Sequence, residues 1–173
     1  METTLRNLES LSPTLVWSHR GSVSTGCEPD ISDGISWHKR VETLERLYGF
    51  DVQSAGNLGG RMRNAINSAV NSGLWGIIVG ADCPSVTAEH ILQVHECLSA
   101  YDVVLIPSDD GGYVAIGSRV TLPAAFDHCR WGSGHALADT LERLQGSGLT
   151  VKCLAPLWDV DTLEDWERWK KSP

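Results

Sequence analysis

Short apolar runs that alternate with helical patterns are the feature that most constrains the fold of this 173-residue chain. The runs "WGIIVG" (75–80) and "DVVLIP" (102–107) are continuous, as in strands that are buried on both faces. Between them, residues 88–99 carry apolar side chains at the three- and four-residue spacing of a helix. This alternation predicts one α/β domain over residues 1–173, a three-layer sandwich with a mostly parallel sheet.

The rest of the chain continues this alternation. A loop rich in Gly, Ser and Asp is predicted at 20–34, and Thr162 and Asp165 resemble a capping box at the start of a last helix. Further strands are predicted at 14–19, 50–55, 113–117 and 149–157, and further helices at 3–11, 37–48, 57–73 and 134–145.

The composition excludes several classes of protein. The net charge is −8 and the basic residues are scattered, whereas a nucleic-acid surface needs a basic stripe. No apolar run approaches the roughly 20 residues that span a bilayer, and the first residues lack a secretory signal, so a cytoplasmic location is expected. The five cysteines are odd in number and form no CxxC pair, which favours reduced thiols over disulfides or a zinc site.

Acidic residues follow several of the predicted strands. "GADCPS" follows the strand at 75–79, "SDDGG" follows 102–107, and "DVDT" follows 149–157. Because ligands of α/β sheets bind where loops gather at the carboxyl ends of the strands, these stretches mark a candidate site. Carboxylates gathered at one sheet edge are costly unless they are solvated, hydrogen-bonded or bound to a metal ion.

Asp82 has two interpretations. It is a ligand for Mg²⁺ or Mn²⁺, which prefer oxygen donors and keep substrate phosphates in their shell, or it caps its own turn. Asp159 and Asp161 favour the metal, because they lie at another strand end. Acidic residues are, however, also common at a helix N-terminus.

Cys83, next to Asp82, is a candidate nucleophile. A nucleophilic thiol needs a base and an electropositive setting, and the neighbours of Cys83 are an acid and a proline. A small, partly buried turn residue is therefore the favoured interpretation of Cys83.

Two Gly-rich motifs have both a structural and a functional interpretation. "DDGGY" (109–113) is a hairpin turn with glycines at positive φ, or a place where a substrate approaches the backbone while Asp110 accepts hydrogen bonds from hydroxyls. "NLGGRM" (57–62) is an anion site at a helix N-terminus, with Arg61 facing a phosphate, or Arg61 forms a structural ion pair.

These motifs also occur in the order found in a known family. The segments "QSAGNLGGRM", "IIVGADCPSVT", "DVVLIPSDDGGYVAIG", "RWGSGHALADTLERL" and "DVDTLEDW" resemble the bacterial radical-SAM/selenodomain-associated transferase family over about residues 53–169. Members of that family look like glycosyltransferases of the GT-A fold and are distant relatives of the MobA-like nucleotidyltransferases. The resemblance implies a nucleotide-diphospho-sugar transferase (GT-A)-like fold.

The resemblance also implies roles for individual residues. Asp82 takes the metal-binding place, and Asp161, or Asp159, is the second acidic group near Mg²⁺ or Mn²⁺. Asp110 is the nearest candidate for the base that deprotonates an acceptor hydroxyl. The implied substrate-binding residues are Arg61, Gly111, Gly112, Tyr113 and Trp131.

Residues 1–35 depart from the family. Its members open with a strand and a loop of the form K-x-P-x-x-G-x-V-K-T-R-L, which holds the nucleotide base and its phosphates, and nothing in residues 1–35 matches this loop. We therefore expect a domain that lacks the first βα unit. The missing strand would leave an open sheet edge, which a homodimer would cover.

Two hypotheses of function follow. The first is a glycosyltransferase-like or nucleotidyltransferase-like enzyme that acts on a nucleotide-activated sugar with a divalent metal ion. The alternative is a non-catalytic relative that keeps the fold and the acidic pocket but binds a small ligand or a protein. Metal-dependent binding of a nucleotide-sugar distinguishes the two.

Overall fold

The computed structural model describes residues 4, 7–11, 14–17, 49–122 and 124–171. The loop predicted at 20–34 and the helix predicted at 37–48 lie outside these residues. The strands are β1 (Thr14–Trp17), β2 (Gly49–Val52), β3 (Gly76–Val79), β4 (Val103–Pro107), β5 (Tyr113–Ser118) and β6 (Val151–Cys153). The helices are α1 (Leu58–Asn71), α2 (Ala88–Cys97), α3 (Ala136–Gly146) and α4 (Leu163–Lys171), with a 3-10 helix at Glu9–Leu11.

The strands form two sheets. β1 and β2 pair parallel to each other, and the other four strands form a sheet in the order β3-β5-β4-β6. β5 runs antiparallel to both neighbours, β3 and β4, while β6 is parallel to β4. The prediction of a mostly parallel sheet is therefore not confirmed, and the four-stranded sheet is mixed. The physical reason is the short turn at 108–112, because a turn of this length joins only antiparallel strands.

Helices cover both faces of the four-stranded sheet, so the three predicted layers are present. One core cluster lies under α2 and includes Ile91, Val94, Leu98, Val104 and Ile106. The other lies under α1 and α3 and includes Ile66, Val103, Leu105, Ile116 and Leu144. Successive residues of β4 alternate between the two clusters, as a strand buried on both faces requires.

Local signals set the ends of the elements. Thr162 and Asp165 form the predicted capping box, with the N–H of Asp165 3.2 Å from Thr162 Oγ1 and the N–H of Thr162 3.0 Å from Asp165 Oδ2. β6 is shorter than predicted, and the chain meets β4 again at Leu157, whose N–H donates to the Pro107 carbonyl at 2.9 Å. None of the helices in the described part of the chain is long and apolar enough to span a membrane.

Candidate functional site

The turn after β3 places Asp82 at the carboxyl end of that strand. The N–H of Gly80 donates to the Val114 carbonyl at 2.9 Å, and the chain then turns away. A Cβ atom at Gly80 would lie 2.6 Å from Cys83 Sγ and 3.0 Å from Asp82 Oδ1, so the turn needs a residue without a side chain. The turn leaves Asp82 exposed at this end of the sheet.

The turn between β4 and β5 holds Asp110 through one of its two carboxylate oxygens. The Ser108 hydroxyl and the Gly112 N–H both donate to Oδ1, the latter at 2.9 Å. No residue in the described ranges donates to Oδ2, so this oxygen is available to a ligand. Gly111 has a φ of +90°, and a Cβ atom there would collide with the Gly134 carbonyl. Packing and turn geometry therefore explain the glycine at this position.

The loop at 157–161 is fixed to the turn after β3 by hydrogen bonds. The N–H of Val160 donates to the Asp82 carbonyl at 3.0 Å. The Ser85 hydroxyl donates to the Trp158 carbonyl, and the Trp158 N–H is 3.3 Å from the same Ser85 oxygen. These bonds bring the "DVDT" motif beside Asp82.

The charges of Asp82 and Asp110 act on two further carboxylates of these loops, those of Asp159 and Asp161. Burial is the main reason that the pKa of Asp159 is raised to about 6, and the charge of Asp110 is the next. The charges of Asp161 and Asp82 act on Asp159 in the same direction. Burial, together with the charges of Asp82 and Asp110, also raises the pKa of Asp161. A cluster with these shifts favours a bound cation or a bound proton.

The donor types suit a hard divalent cation, but the cluster is not a preformed cage. Carboxylate oxygens are the ligands that Mg²⁺ and Mn²⁺ prefer. Across the described residues, no three His, Cys, Asp or Glu side chains are arranged so that they could hold a metal ion together. The arrangement therefore fits only the magnesium mode in which one or two carboxylates share the ion with waters and substrate phosphates.

Cys83 is unsuited to nucleophilic catalysis in this setting. Its side chain is 1% exposed and belongs to the core cluster under α2. Burial, followed by the charge of Asp82, raises the pKa of the thiol far above its usual range. The thiol therefore stays protonated at neutral pH, and the thiolate is the reactive form.

Arg61 lies in the first turn of α1. Its Nη1 donates to the side-chain oxygen of Gln53 at 2.7 Å, so the described partner is an amide and not an acidic group. Its Nε is buried, and no described residue accepts a hydrogen bond from it. Gln53 precedes the "NLGGRM" motif and was not singled out from the sequence. Phosphate binding by Arg61 stays a prediction.

Tyr113 and Trp131 pack against each other and against the core cluster under α1 and α3. Their ring centroids are 6.3 Å apart at a nearly perpendicular angle. A Cβ atom at Gly59 would lie 3.0 Å from the Trp131 ring, so α1 approaches this ring closely. Burial is the main cause that raises the pKa of the Tyr113 hydroxyl. Packing accounts for both rings, and their contact with a substrate stays a prediction.

Arg168 and Trp158 form a contact beside the carboxylates that the sequence analysis missed. The Arg168 guanidinium lies 4.5 Å from the centroid of the Trp158 ring, and Arg168 Nη1 is 3.4 Å from Asp109 Oδ2. These contacts connect α4 to the turn after β4 and to the loop before Asp159. The available signal was the position of Trp158, directly before "DVDT".

Comparison with known proteins identifies the family of this chain. Residues 25–133, more than half of the chain, match the model of a family described as uncharacterized protein conserved in bacteria, DUF2064. The chain belongs to this family. No curated protein matches this DUF2064 chain. The association with radical-SAM proteins, the kinship with MobA-like enzymes and the cytoplasmic location stay predictions.

Two solved structures are similar to this DUF2064 protein. One is described as a "putative nucleotide-diphospho-sugar transferase" from Desulfovibrio desulfuricans G20, with a TM-score of 0.77, 26% identity, and coverage of 99% of this chain and 72% of that one. The other is a cytidylyltransferase from Leptospira borgpetersenii serovar Hardjo-bovis (strain JB197), with a TM-score of 0.57, 15% identity, and coverage of 97% and 72%. The second likeness concerns the fold alone. Together they support the predicted GT-A-like fold.

Proposed function

We propose that this DUF2064 protein is a transferase that acts on a nucleotide-activated sugar with Mg²⁺ or Mn²⁺. The observation that carries the proposal is the cluster of Asp82, Asp110, Asp159 and Asp161, in which the pKa of Asp159 is raised to about 6. The likeness to the Desulfovibrio desulfuricans structure supports the substrate class. Fold alone hosts many functions, so the cluster is the main support and the likeness is secondary.

Asp82 and Asp159 are the proposed metal ligands, with Asp161 as a further acidic neighbour. Asp159 is the better second ligand, because its carboxyl is more buried than that of Asp161 and gains more from a nearby positive charge. When bound, a divalent cation supplies the charge that neutralises a diphosphate leaving group. The phosphates and waters would complete the coordination that the side chains leave open.

Asp110 is the proposed proton acceptor. Its Oδ1 is held by Ser108 and Gly112, which fixes the direction of the carboxylate, and Oδ2 is available to an acceptor hydroxyl. As the acceptor oxygen bonds to the anomeric carbon and the bond to the diphosphate breaks, the hydroxyl proton passes to Asp110. Arg61, whose Nε has no partner among the described residues, is the proposed contact for a phosphate oxygen.

The second candidate is a relative without catalysis that binds a small ligand or a protein. The observation that favours it is the packing of the "DDGGY" turn. The protein itself occupies the space beside both glycines, with the Gly134 backbone next to Gly111 and the Asp110 carboxylate next to Gly112. In this case the acidic loops serve as turns and caps, and no nucleotide is bound.

Thermal-shift measurements with UDP-, GDP-, CDP- and ADP-sugars, with and without Mn²⁺, distinguish the two functions. A ligand at about 100 times its Kd stabilises the folded state by about 2.7 kcal/mol, a readily measured shift. The enzyme proposal predicts a Mn²⁺-dependent shift that is lost in Asp82→Asn and Asp159→Asn. The Mn²⁺-dependent shift should be retained in the matched control Asp127→Asn, which changes an exposed acidic residue paired with Arg63. The absence of a shift with all four sugars supports the second candidate.

A further inference from the structure

The edge of β3 that faces away from β5 carries backbone groups that no described residue pairs with. The N–H of Gly80 donates to the Val114 carbonyl at 2.9 Å, which makes these two residues a hydrogen-bonded pair. Hydrogen-bonded pairs alternate with non-hydrogen-bonded pairs along an antiparallel ladder. The backbone N–H and C=O groups of Ile78 therefore also face β5. The N–H and C=O groups of Ile77 and Val79 then point to the opposite edge. No residue in the described ranges pairs with these four groups.

Within the described ranges, this edge shows none of the usual protective features. Proteins protect edge strands with charged side chains, proline or bulges. β3 pairs with β5 without a register shift, and residues 64–81 contain no charged residue and no proline. At the start of the strand, Leu74 is 64% exposed and Trp75 is 40% exposed. The unpaired edge is therefore continuous with an exposed apolar surface.

We propose that this edge pairs antiparallel with the same edge of a second copy of the chain. The outward N–H and C=O groups of Ile77 and Val79 must pair with those of the partner, which fixes the register. Ile78 then lies opposite the partner's Ile78, and Ile77 lies opposite the partner's Val79. In each copy, Ile77 exchanges two hydrogen bonds with the partner's Val79. The two four-stranded sheets thereby form one continuous sheet. The interface is isologous, because the same strand is used by both copies.

The neutral character of this surface is the reason for proposing a second copy of the strand as the occupant. Two chains of net charge −8 repel each other unless they meet through a neutral surface. The uncharged run at 64–81 provides this surface, and in the proposed register the residues that lie opposite one another at 77–79 are all apolar. The dimer is independent of the proposed function, since none of the four outward groups belongs to the acidic cluster.

Sedimentation velocity with a proline variant tests the pairing. Val79→Pro removes an N–H that no described residue uses, and proline is tolerated on edge strands. Over roughly 1 to 100 µM, where exposed edges associate, the unmodified chain should sediment as a dimer. The variant loses two hydrogen bonds per dimer, so its dissociation constant should rise about tenfold or more. Circular dichroism and Tm show whether the variant folds.

Cys153→Pro is the matched control on the other edge of the sheet. The N–H of Leu154 donates to the Leu105 carbonyl at 2.9 Å, so the N–H of Cys153 points away from β4. This control introduces the same ring at an edge that the proposal does not use. It should dimerise with the affinity of the unmodified chain.

Hydrogen exchange on the unmodified chain tests the same edge without a mutation. The amides of Ile77 and Val79 should become protected as the concentration rises, while those of Val151 and Cys153 on the opposite edge should not. Three results would overturn the proposal. They are a monomer throughout the concentration range, a folded Val79→Pro dimer of unchanged affinity, and protection of Ile77 and Val79 in a monomer.

Discussion

The N–H of Val160 donates a 3.0 Å hydrogen bond to the carbonyl oxygen of Asp82. This bond fixes the loop after β6 to the turn after β3, although 78 positions separate the two residues (160 minus 82). Asp159 and Asp161 flank Val160, so the same bond sets both carboxyls beside Asp82. The charge of Asp82 accordingly contributes to the raised pKa of each of them.

The raised pKa of Asp159 predicts a pH-dependent effect of Asp159→Asn. The folded protein binds this proton with a pKa of about 6, against about 3.9 in an unfolded chain. The wild-type side chain therefore favours folding below pH 4, and this contribution is lost as the pH rises through about 6. The free energy of unfolding of the variant, relative to wild type, should rise between pH 4 and 7 by roughly 1 kcal/mol, since solvent screens a partly exposed carboxyl.

Urea denaturation in a metal-free buffer at several pH values measures this difference. Asp127→Asn is the matched control, because it removes a carboxyl that pairs with Arg63 outside the cluster. A difference between Asp159→Asn and wild type that stays constant from pH 4 to pH 7 would contradict the electrostatic coupling of the cluster.

Ser85 connects two loops of the site through one hydroxyl. Its oxygen bonds both the carbonyl and the N–H of Trp158, so Ser85→Ala leaves two backbone groups without this partner. We expect a loss of about 1 to 3 kcal/mol in the free energy of unfolding, measured by urea denaturation. Ser99→Ala, which removes an exposed hydroxyl from a helix end, should cost less. Equal losses in the two variants would show that the Ser85 bridge contributes nothing.

Gly111 cannot carry a side chain without strain. Its φ is +90°, and a Cβ atom would collide with Gly134. Gly111→Ala should lower the free energy of unfolding by about 2 kcal/mol or more, seen as a fall in Tm. Gly146→Ala is the control, because no atom lies within 4 Å of its added Cβ and α3 should gain up to about 1 kcal/mol. A neutral Gly111→Ala would show that the turn relaxes away from Gly134.

Burial of Cys83 predicts low reactivity towards alkylating reagents. Cys83 is 1% exposed and its pKa is raised, whereas Cys153 is exposed. Iodoacetamide under native conditions should label Cys153 at least about tenfold faster than Cys83, because the accessible thiolate is the reactive form. Peptide mass spectrometry over time measures both rates. Preferential labelling of Cys83 would restore it as a candidate nucleophile.

Local signals predicted much of this fold. The apolar runs located β3 and β4, and Thr162 and Asp165 marked the start of α4, because both features depend on residues that are close in sequence. The order of the strands in the sheet was not predicted, because strand order is not local. β5 was expected as a returning strand, but its insertion between β3 and β4 depends on packing across the whole sheet.

Part of the candidate site was also predictable from the sequence. The rule that loops gather at strand ends predicted that Asp82 and Asp159 lie together, and the charge of Asp82 contributes to the raised pKa of Asp159. The contacts of Arg168 with Trp158 and Asp109 were not predictable, because they join residues that no local pattern relates. Side-chain packing of this kind depends on the complete fold.

Isothermal titration with the nucleotide-sugar that gives the largest thermal shift is the most direct test of the central claim. We expect binding to be at least about tenfold weaker in EDTA than in Mn²⁺, because the ion shares its coordination between the carboxylates and the phosphates. Asp82→Asn should remove this difference, and Asp127→Asn should retain it. Equal affinity in EDTA and in Mn²⁺, or an unchanged metal dependence in Asp82→Asn, would contradict a metal-dependent site at Asp82.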